Sequence, residues 1–205
     1  MSELTDELEY IMDWLKSTNL EFVDCYNPGL NRQQIDTLTE DFPFRLPDEI
    51  YELYQWRNGK AELGDNNGYP PVEFFFLRQY NNDFKLDFLP LKYAMEEYKS
   101  LLRATIDDFW HENWFPIASF EGKVVLYVVS DMNPSPVFTW DNILGTQPRV
   151  YKDLTSMISV IAECCEFDVY QIIPDEYGYN EDDFIIQINE EKFELEQSIF
   201  QKYNS

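Results

Sequence analysis

The sequence predicts an α+β protein with a central, largely antiparallel sheet of about five or six strands, helices packed against it, and helical extensions at both termini. Three observations carry that prediction. Helical periodicities occupy both ends of the 205-residue chain, and short runs rich in valine and aromatic residues crowd its centre. Those runs mostly follow one another across turns instead of alternating with helices, which points to hairpin connections and not to parallel crossovers. A hydrophobic content of 44% with 17% aromatic residues excludes a disordered chain, and the length suits one sizeable core. Residues 1–205 are therefore read as a single domain.

The first helix is predicted over 3–17, where Leu4, Leu8, Ile11, Met12 and Leu15 share a face behind a Thr5-Asp6-Glu7 start. NPGL at 27–30 is a turn, and a second helix over about 31–41 presents Ile35, Leu38 and Phe42. The stretch LPDEIYELYQWRNG, 46–59, marks a third helix at both ends. Pro47 suits a first turn because its missing N–H would be unpaired there, and Asp48 and Glu49 oppose the dipole. Leu46, Ile50, Leu53 and Tyr54 form one apolar stripe, and Asn58-Gly59 is expected to close the helix in a left-handed conformation. A turn-rich loop follows, then a strand, VEFFFLRQY, at 72–80.

Pro90 opens a helix carrying Leu91, Met95, Tyr98, Leu101, Leu102, Ile106 and Phe109 in register. NWFPIASF (113–120) and KVVLYVVS (123–130) are strands joined by a tight hairpin turn at Glu121-Gly122. PVFTW (136–140) is a third strand of this run, and RVY (149–151) is read as a short fourth. A helix after Asp153 aligns Leu154, Ile158, Ile161 and Cys165. FIIQI (184–188) reads as a strand and EEKFELEQSIFQKY (190–203) as a charged terminal helix.

The net charge of −24 is unevenly spread. Residues 1–30 hold seven acids against one base, 166–205 hold eleven against two, and 31–165 hold 21 against 12. Such a chain is repelled by nucleic acid and by anionic membrane, and attracted to basic proteins; acidity of this kind also maintains solubility. The acidic start, MSELTDELEY, lacks the basic and apolar stretches of a signal peptide, and no run of apolar residues is long enough to span a bilayer. Three cysteines, Cys25, Cys164 and Cys165, form no disulfide framework. A cytoplasmic location is expected.

Candidates for chemistry are few. The sole histidine, His111, lacks a second histidine four residues on, where Phe115 stands, and Trp110 and Trp114 flank it. It reads as a histidine packed among aromatics. Gly59-Lys60 and Gly122-Lys123 lack the serine or threonine and the earlier glycine of a phosphate loop. GDNNG (64–68) and DEYGYNEDD (175–183) lack the alternating ligands and distal glutamate of a calcium loop. Cys164-Cys165 lacks redox spacing, and one of the pair faces the core. No catalytic residue, metal site or cofactor is assigned. Partner-contacting candidates are Trp56, beside the stripe of the third helix, and the acids Asp65, Asp83, Asp87, Asp131, Asp175 and Glu176 in loops and flanks.

Taken in order, these motifs resemble the SUKH superfamily, which contains fungal cell-wall-assembly regulators and bacterial toxin-immunity proteins. The resemblance rests on Leu46-Pro47, Ile50, Leu53, Tyr54 and Asn58-Gly59, preceded by NRQQIDTLTEDFPFR. It continues through FFFLRQY, WFPIASFEGKVVLYVV, PVFTW and a helix ending in ECCEF, and covers about 31–167. Residues 1–30 and 168–205, the most acidic parts, have no counterpart, and neither does the loop 60–71. The resemblance implies a non-enzymatic bacterial immunity protein that binds and neutralises a toxin domain, often a nuclease or deaminase; the acidity of this chain makes a basic nuclease or similar toxin domain the expected target. The alternative it implies is a regulator or scaffold that binds housekeeping proteins. An enzyme using His111 is the remaining possibility, and nothing around that residue recommends it.

Overall fold

A computed structural model of the protein describes residues 2–18, 26–61, 75–79, 82–104, 110–120, 122–141, 145–146, 150–174 and 184–205. In chain order the described elements begin with α1 (Glu3–Thr18), β1 (Tyr26–Pro28), α2 (Arg32–Leu38), α3 (Asp48–Trp56) and β2 (Arg57–Lys60). They continue with β3 (Phe75–Gln79), β4 (Asn82–Phe88), α4 (Leu91–Ala104), β5 (Trp114–Phe120), β6 (Val124–Val129), β7 (Val137–Asp141) and β8 (Gly145–Thr146). The chain ends with α5 (Leu154–Glu166), β9 (Tyr170–Pro174), β10 (Phe184–Ile188) and α6 (Phe193–Asn204). The fold is α+β, as the sequence predicts. It divides into a sheet unit, Tyr26–Ala61 with Phe74–Leu154, and a terminal unit, Met1–Cys25, Glu62–Glu73 and Thr155–Ser205.

In the sheet unit, β3 to β8 form a six-stranded antiparallel sheet in sequence order. β4 was not foreseen, because Asn82, Asp83, Lys85 and Asp87 lower its intrinsic strand preference. Its Phe84, Leu86 and Phe88 nevertheless alternate, and pairing with both β3 and β5 settles the conformation. Of the RVY strand expected at 149–151, Arg149 lies outside the described residues and Tyr151 makes an isolated bridge to Val137, while β8 at Gly145–Thr146 pairs with β7. The β5–β6 turn is a three-residue connection with Gly122 at φ +66° and the Lys123 N–H donating to the Phe120 carbonyl at 2.8 Å. Neighbouring β5 residues face opposite sides of the sheet and feed separate aromatic clusters. Phe115 lies 5.3 Å from Phe42, which lies 5.0 Å from Tyr98. Trp114 stacks on Tyr127 at 4.5 Å, in a group that includes Trp110, Phe138 and Trp140.

The 46–59 stretch folds differently at its end from the sequence expectation. The helix stops at Trp56, and Arg57 is already extended (φ −147°, ψ 145°), so Asn58-Gly59 is not its cap. These residues belong to β2, which pairs with β1, a two-stranded sheet that short polar strands did not announce. Gly59 does take the left-handed region, at φ +68°, for another reason: a Cβ there would sit 2.1 Å from the Pro90 nitrogen. Asn58 Oδ1 accepts from the Leu91 N–H at 2.9 Å, satisfying an open donor at the start of α4. The buried Tyr54 hydroxyl donates to the Leu89 carbonyl at 3.1 Å, and Asn27 Nδ2 donates to the Asn58 and Lys60 carbonyls. The motif is thus a joint that seats the β4–α4 corner.

In the terminal unit, α1 buries the predicted stripe of Leu4, Leu8, Ile11, Met12 and Leu15. β9 was not foreseen. It pairs antiparallel with β10 from Tyr170↔Ile188 to Pro174↔Phe184. A single 3-10 turn at Glu190–Lys192 leads into α6. Glu163 on α5 ties α6 down, accepting from the Tyr203 hydroxyl at 2.6 Å and from the Lys202 ammonium at 2.5 Å. Calcium-like loops 64–68 and 175–183, the Ile106 and Phe109 positions and Cys25 lie outside the described residues.

Candidate protein-binding surface

His111, Cys164 and Cys165 are the described residues that the sequence singles out for chemistry. His111 is exposed, its ring packs edge-on to Trp114 at 4.5 Å, and its carbonyl accepts the Trp114 N–H. Cys164 and Cys165 are both buried, so both face inward where one was expected to. Burial pushes the Cys164 thiol up to about 12 and the Cys165 thiol higher still, which disfavours the thiolate on which nucleophilic chemistry depends. Among the described residues no group of three or more His, Cys, Asp or Glu side chains could hold a metal ion. No helix among them is long and apolar enough to cross a membrane.

Among the described residues, the acids and the aromatic anchor expected from sequence lie apart. Trp56 is only 6% exposed, and the Arg57 guanidinium lies over its ring at 5.3 Å, so it offers little surface to a partner. Asp87, half-buried on β4, is ion-paired with Lys60 on β2. Asp131 is exposed in the β6–β7 turn, where it accepts from Asn113 Nδ2 at 2.6 Å. Asp87 pairs with Ser119, whereas Asp131 neighbours Asn113 at the other end of β5, about 20 Å away for six extended residues. Asp83 lies in β4 opposite Arg78. Asp65, Asp175 and Glu176 lie outside the described residues.

A different surface stands out in the terminal unit. Among the described residues this unit carries 12 acids against 3 bases, while the sheet unit carries 14 against 11. The excess negative charge therefore sits on the terminal unit. Three large aromatic side chains are exposed there as well: Tyr10 on α1 (41%), Phe167 after α5 (47%) and Phe193 at the start of α6 (43%). Burial, and after it Glu166, Cys165, Glu7 and Asp168, raises the Tyr10 phenol above its ordinary range. Lys192, next to Phe193, donates to the Phe167 carbonyl at 2.7 Å and lies 4.0 Å from Asp168. Glu7 is pushed up by partial burial and then by Glu3, Glu166, Glu163 and Asp6, so carboxylates crowd this surface.

Sequence reasoning passed over Tyr10, Phe167 and Phe193. For Tyr10 a signal existed: it lies off the Leu4-Leu8-Ile11-Met12-Leu15 stripe, an aromatic on a polar helix face. Phe167 and Phe193 carried none, because their exposure depends on how α5 and α6 end and begin.

The model of the SMI1 / KNR4 family (SUKH-1) matches residues 29–160, which span most of the sheet unit and the first half of α5. No curated protein matches the chain. The match covers well over half of the sequence and includes the Leu46–Gly59 joint together with β2 to β8. The chain belongs to the SMI1 / KNR4 family (SUKH-1).

Proposed function

We propose that this protein is a non-enzymatic binding module, an immunity protein that neutralises a toxin by tight, stoichiometric occlusion. The observation that carries the reading is membership of a family of generally non-enzymatic immunity and regulatory proteins, over residues 29–160. Burial of Cys164 and Cys165, which raises both thiols, is consistent with it. The toxin is basic, in this proposal a nuclease, because a protein of net charge −24 is drawn to a surface built to hold phosphates.

The test is growth rescue. The chain is co-expressed with the C-terminal toxin domain of a secreted protein encoded beside it. Immunity predicts full growth with the cognate domain and none with an unrelated toxin. Persistent killing by the cognate domain, with both proteins expressed and folded, would reject the reading in favour of a regulatory partner.

A further inference from the structure

We propose that the outer edge of β10 pairs antiparallel with an extended segment of a partner protein, one that alternates aliphatic with basic residues. This rests on the binding reading above and names how a partner would be held. β9 and β10 form a two-stranded ribbon, so among the described residues each strand pairs on one side only. A ribbon of two strands is marginal alone and gains from a third. The ladder shows which backbone groups the open edge offers. The Asn189 N–H donates to the Val169 carbonyl at 2.8 Å, and the next pair inward is Ile188 opposite Tyr170. Bonded and non-bonded pairs alternate along an antiparallel ladder, so Gln187 and Ile185 also bond inward to β9. Phe184, Ile186 and Ile188 then direct their N–H and C=O groups outward, at every second residue. On β9 the outward set is Tyr170, Ile172 and Pro174, and Pro174 has no N–H to give. β10 carries the complete edge.

Edges of this kind are normally blunted by lysine, proline, a bulge or shortness. β10 has none of these: FIIQI holds no charge or proline, spans five residues and pairs in unbroken register. By contrast, the β1–β2 ribbon has Pro28 and a register shift, and β8 at the rim of the large sheet has two residues. Side chains and charge select the occupant. Ile172 and Ile186 are half-buried on one face of the ribbon, and Gln171 and Gln187 are exposed on the other. A strand added beside β10 meets an apolar face and a polar face, which fits alternating aliphatic and polar residues. The exposed Glu190 and Glu191 follow β10 directly, in a unit with 12 acids against 3 bases among its described residues, so the polar positions should be basic. A second copy of this chain, at net charge −24, would bring its own acids against these. The family match ends at residue 160, ahead of both strands.

The experiment uses the full chain, labelled with 15N, and the acetylated, amidated peptide Lys-Val-Lys-Val-Lys-Val-Lys. Antiparallel pairing puts its valines on the Ile186 face with their N–H groups toward β10. N-methylation of two valines should weaken binding by a factor on the order of ten or more, and N-methylation of two lysines should change it little. The Ile186 amide of the free protein should exchange with deuterium faster than that of Gln187, and the peptide should slow it. Ile186→Pro removes an outward donor, leaves the inward ladder and should weaken the peptide on the order of tenfold; if that variant does not fold, the methylated peptides decide alone. Equal affinity of the two methylated peptides, a greater loss from the lysines, or amide shifts centred on β3 would overturn the proposal. The assay uses no toxin. Its failure with growth rescue intact would leave immunity standing and remove this edge, and binding here without rescue would do the reverse.

Discussion

At the level of single residues, the 46–59 stretch mixes packing and backbone demands that mutation can separate. Leu53 is fully buried, so Leu53→Ala removes a side chain from a core that cannot collapse around the gap. It should cost about 2–5 kcal/mol, read as a fall in the denaturant midpoint with an unchanged slope. Gly59 and Gly122 share a positive φ but differ in surroundings. Alanine at Gly122 meets only the flexible Glu97 carboxylate at 3.2 Å and should cost about 1–2 kcal/mol for the left-handed backbone. Alanine at Gly59 meets main-chain atoms of Leu89 and Pro90 at 2.1–2.5 Å and should cost distinctly more, because the β4–α4 corner has to move. Equal losses in chemical denaturation would contradict the joint described for this motif.

The α1 and α5 helices carry carboxylates whose titrations have opposite consequences for stability. Glu7 has its pKa raised, first by burial and then by Glu3 and its other acidic neighbours. Its folded form holds a proton more firmly than the unfolded chain, so stability falls as pH rises from the ordinary glutamate value through the raised one. Glu7→Gln should therefore stabilise the neutral-pH protein, by about 0.2–0.5 kcal/mol, with the gain shrinking in salt. Glu163 behaves in reverse. Burial alone would raise it, but hydrogen bonds from Lys202 and Tyr203 outweigh that and lower it. Its stabilisation is present above the unfolded value and lost as pH falls through the folded one. Glu163→Gln should cost up to about 1 kcal/mol at pH 7, and in thermal melts that cost should disappear only as the pH falls through the lowered folded value.

Much of this element structure was legible. α1, α5 and the β5–β6 hairpin each have a period, a length and a terminus signal that agree, and α3 has them at its start but not at its stop. The elements missed were β1, β2, β4, β8 and β9, all short or polar. Such strands are specified by the partner that accepts their hydrogen bonds, and no local pattern records that partner. The Asn58-Gly59 pair shows the same limit at finer grain. Its left-handed glycine was readable, but its purpose, relieving contact with Pro90 and satisfying Leu91, depends on a corner about thirty residues downstream. Asp87 and Asp131, two of the acids proposed as contacts, lie at opposite ends of β5 for a related reason: composition reports how many carboxylates there are, and only folding decides which of them crowd.

Across the molecule, a family scaffold of modest charge is joined in one chain to a strongly acidic terminal unit. That division predicts how recognition divides too. The association rate with a basic partner should fall steeply as ionic strength rises, and neutralising acids of the terminal unit should lower it more than neutralising the same number in the sheet unit. Stopped-flow mixing across a salt series checks both. The central claim, that the protein acts by binding and not by turnover, is tested most directly by titrating it into a fixed concentration of its toxin and following toxin activity. Occlusion predicts a linear decline that reaches zero at a fixed stoichiometric ratio and does not deepen with time. Progressive loss of toxin activity at a small fraction of an equivalent would contradict it, and would return attention to catalysis.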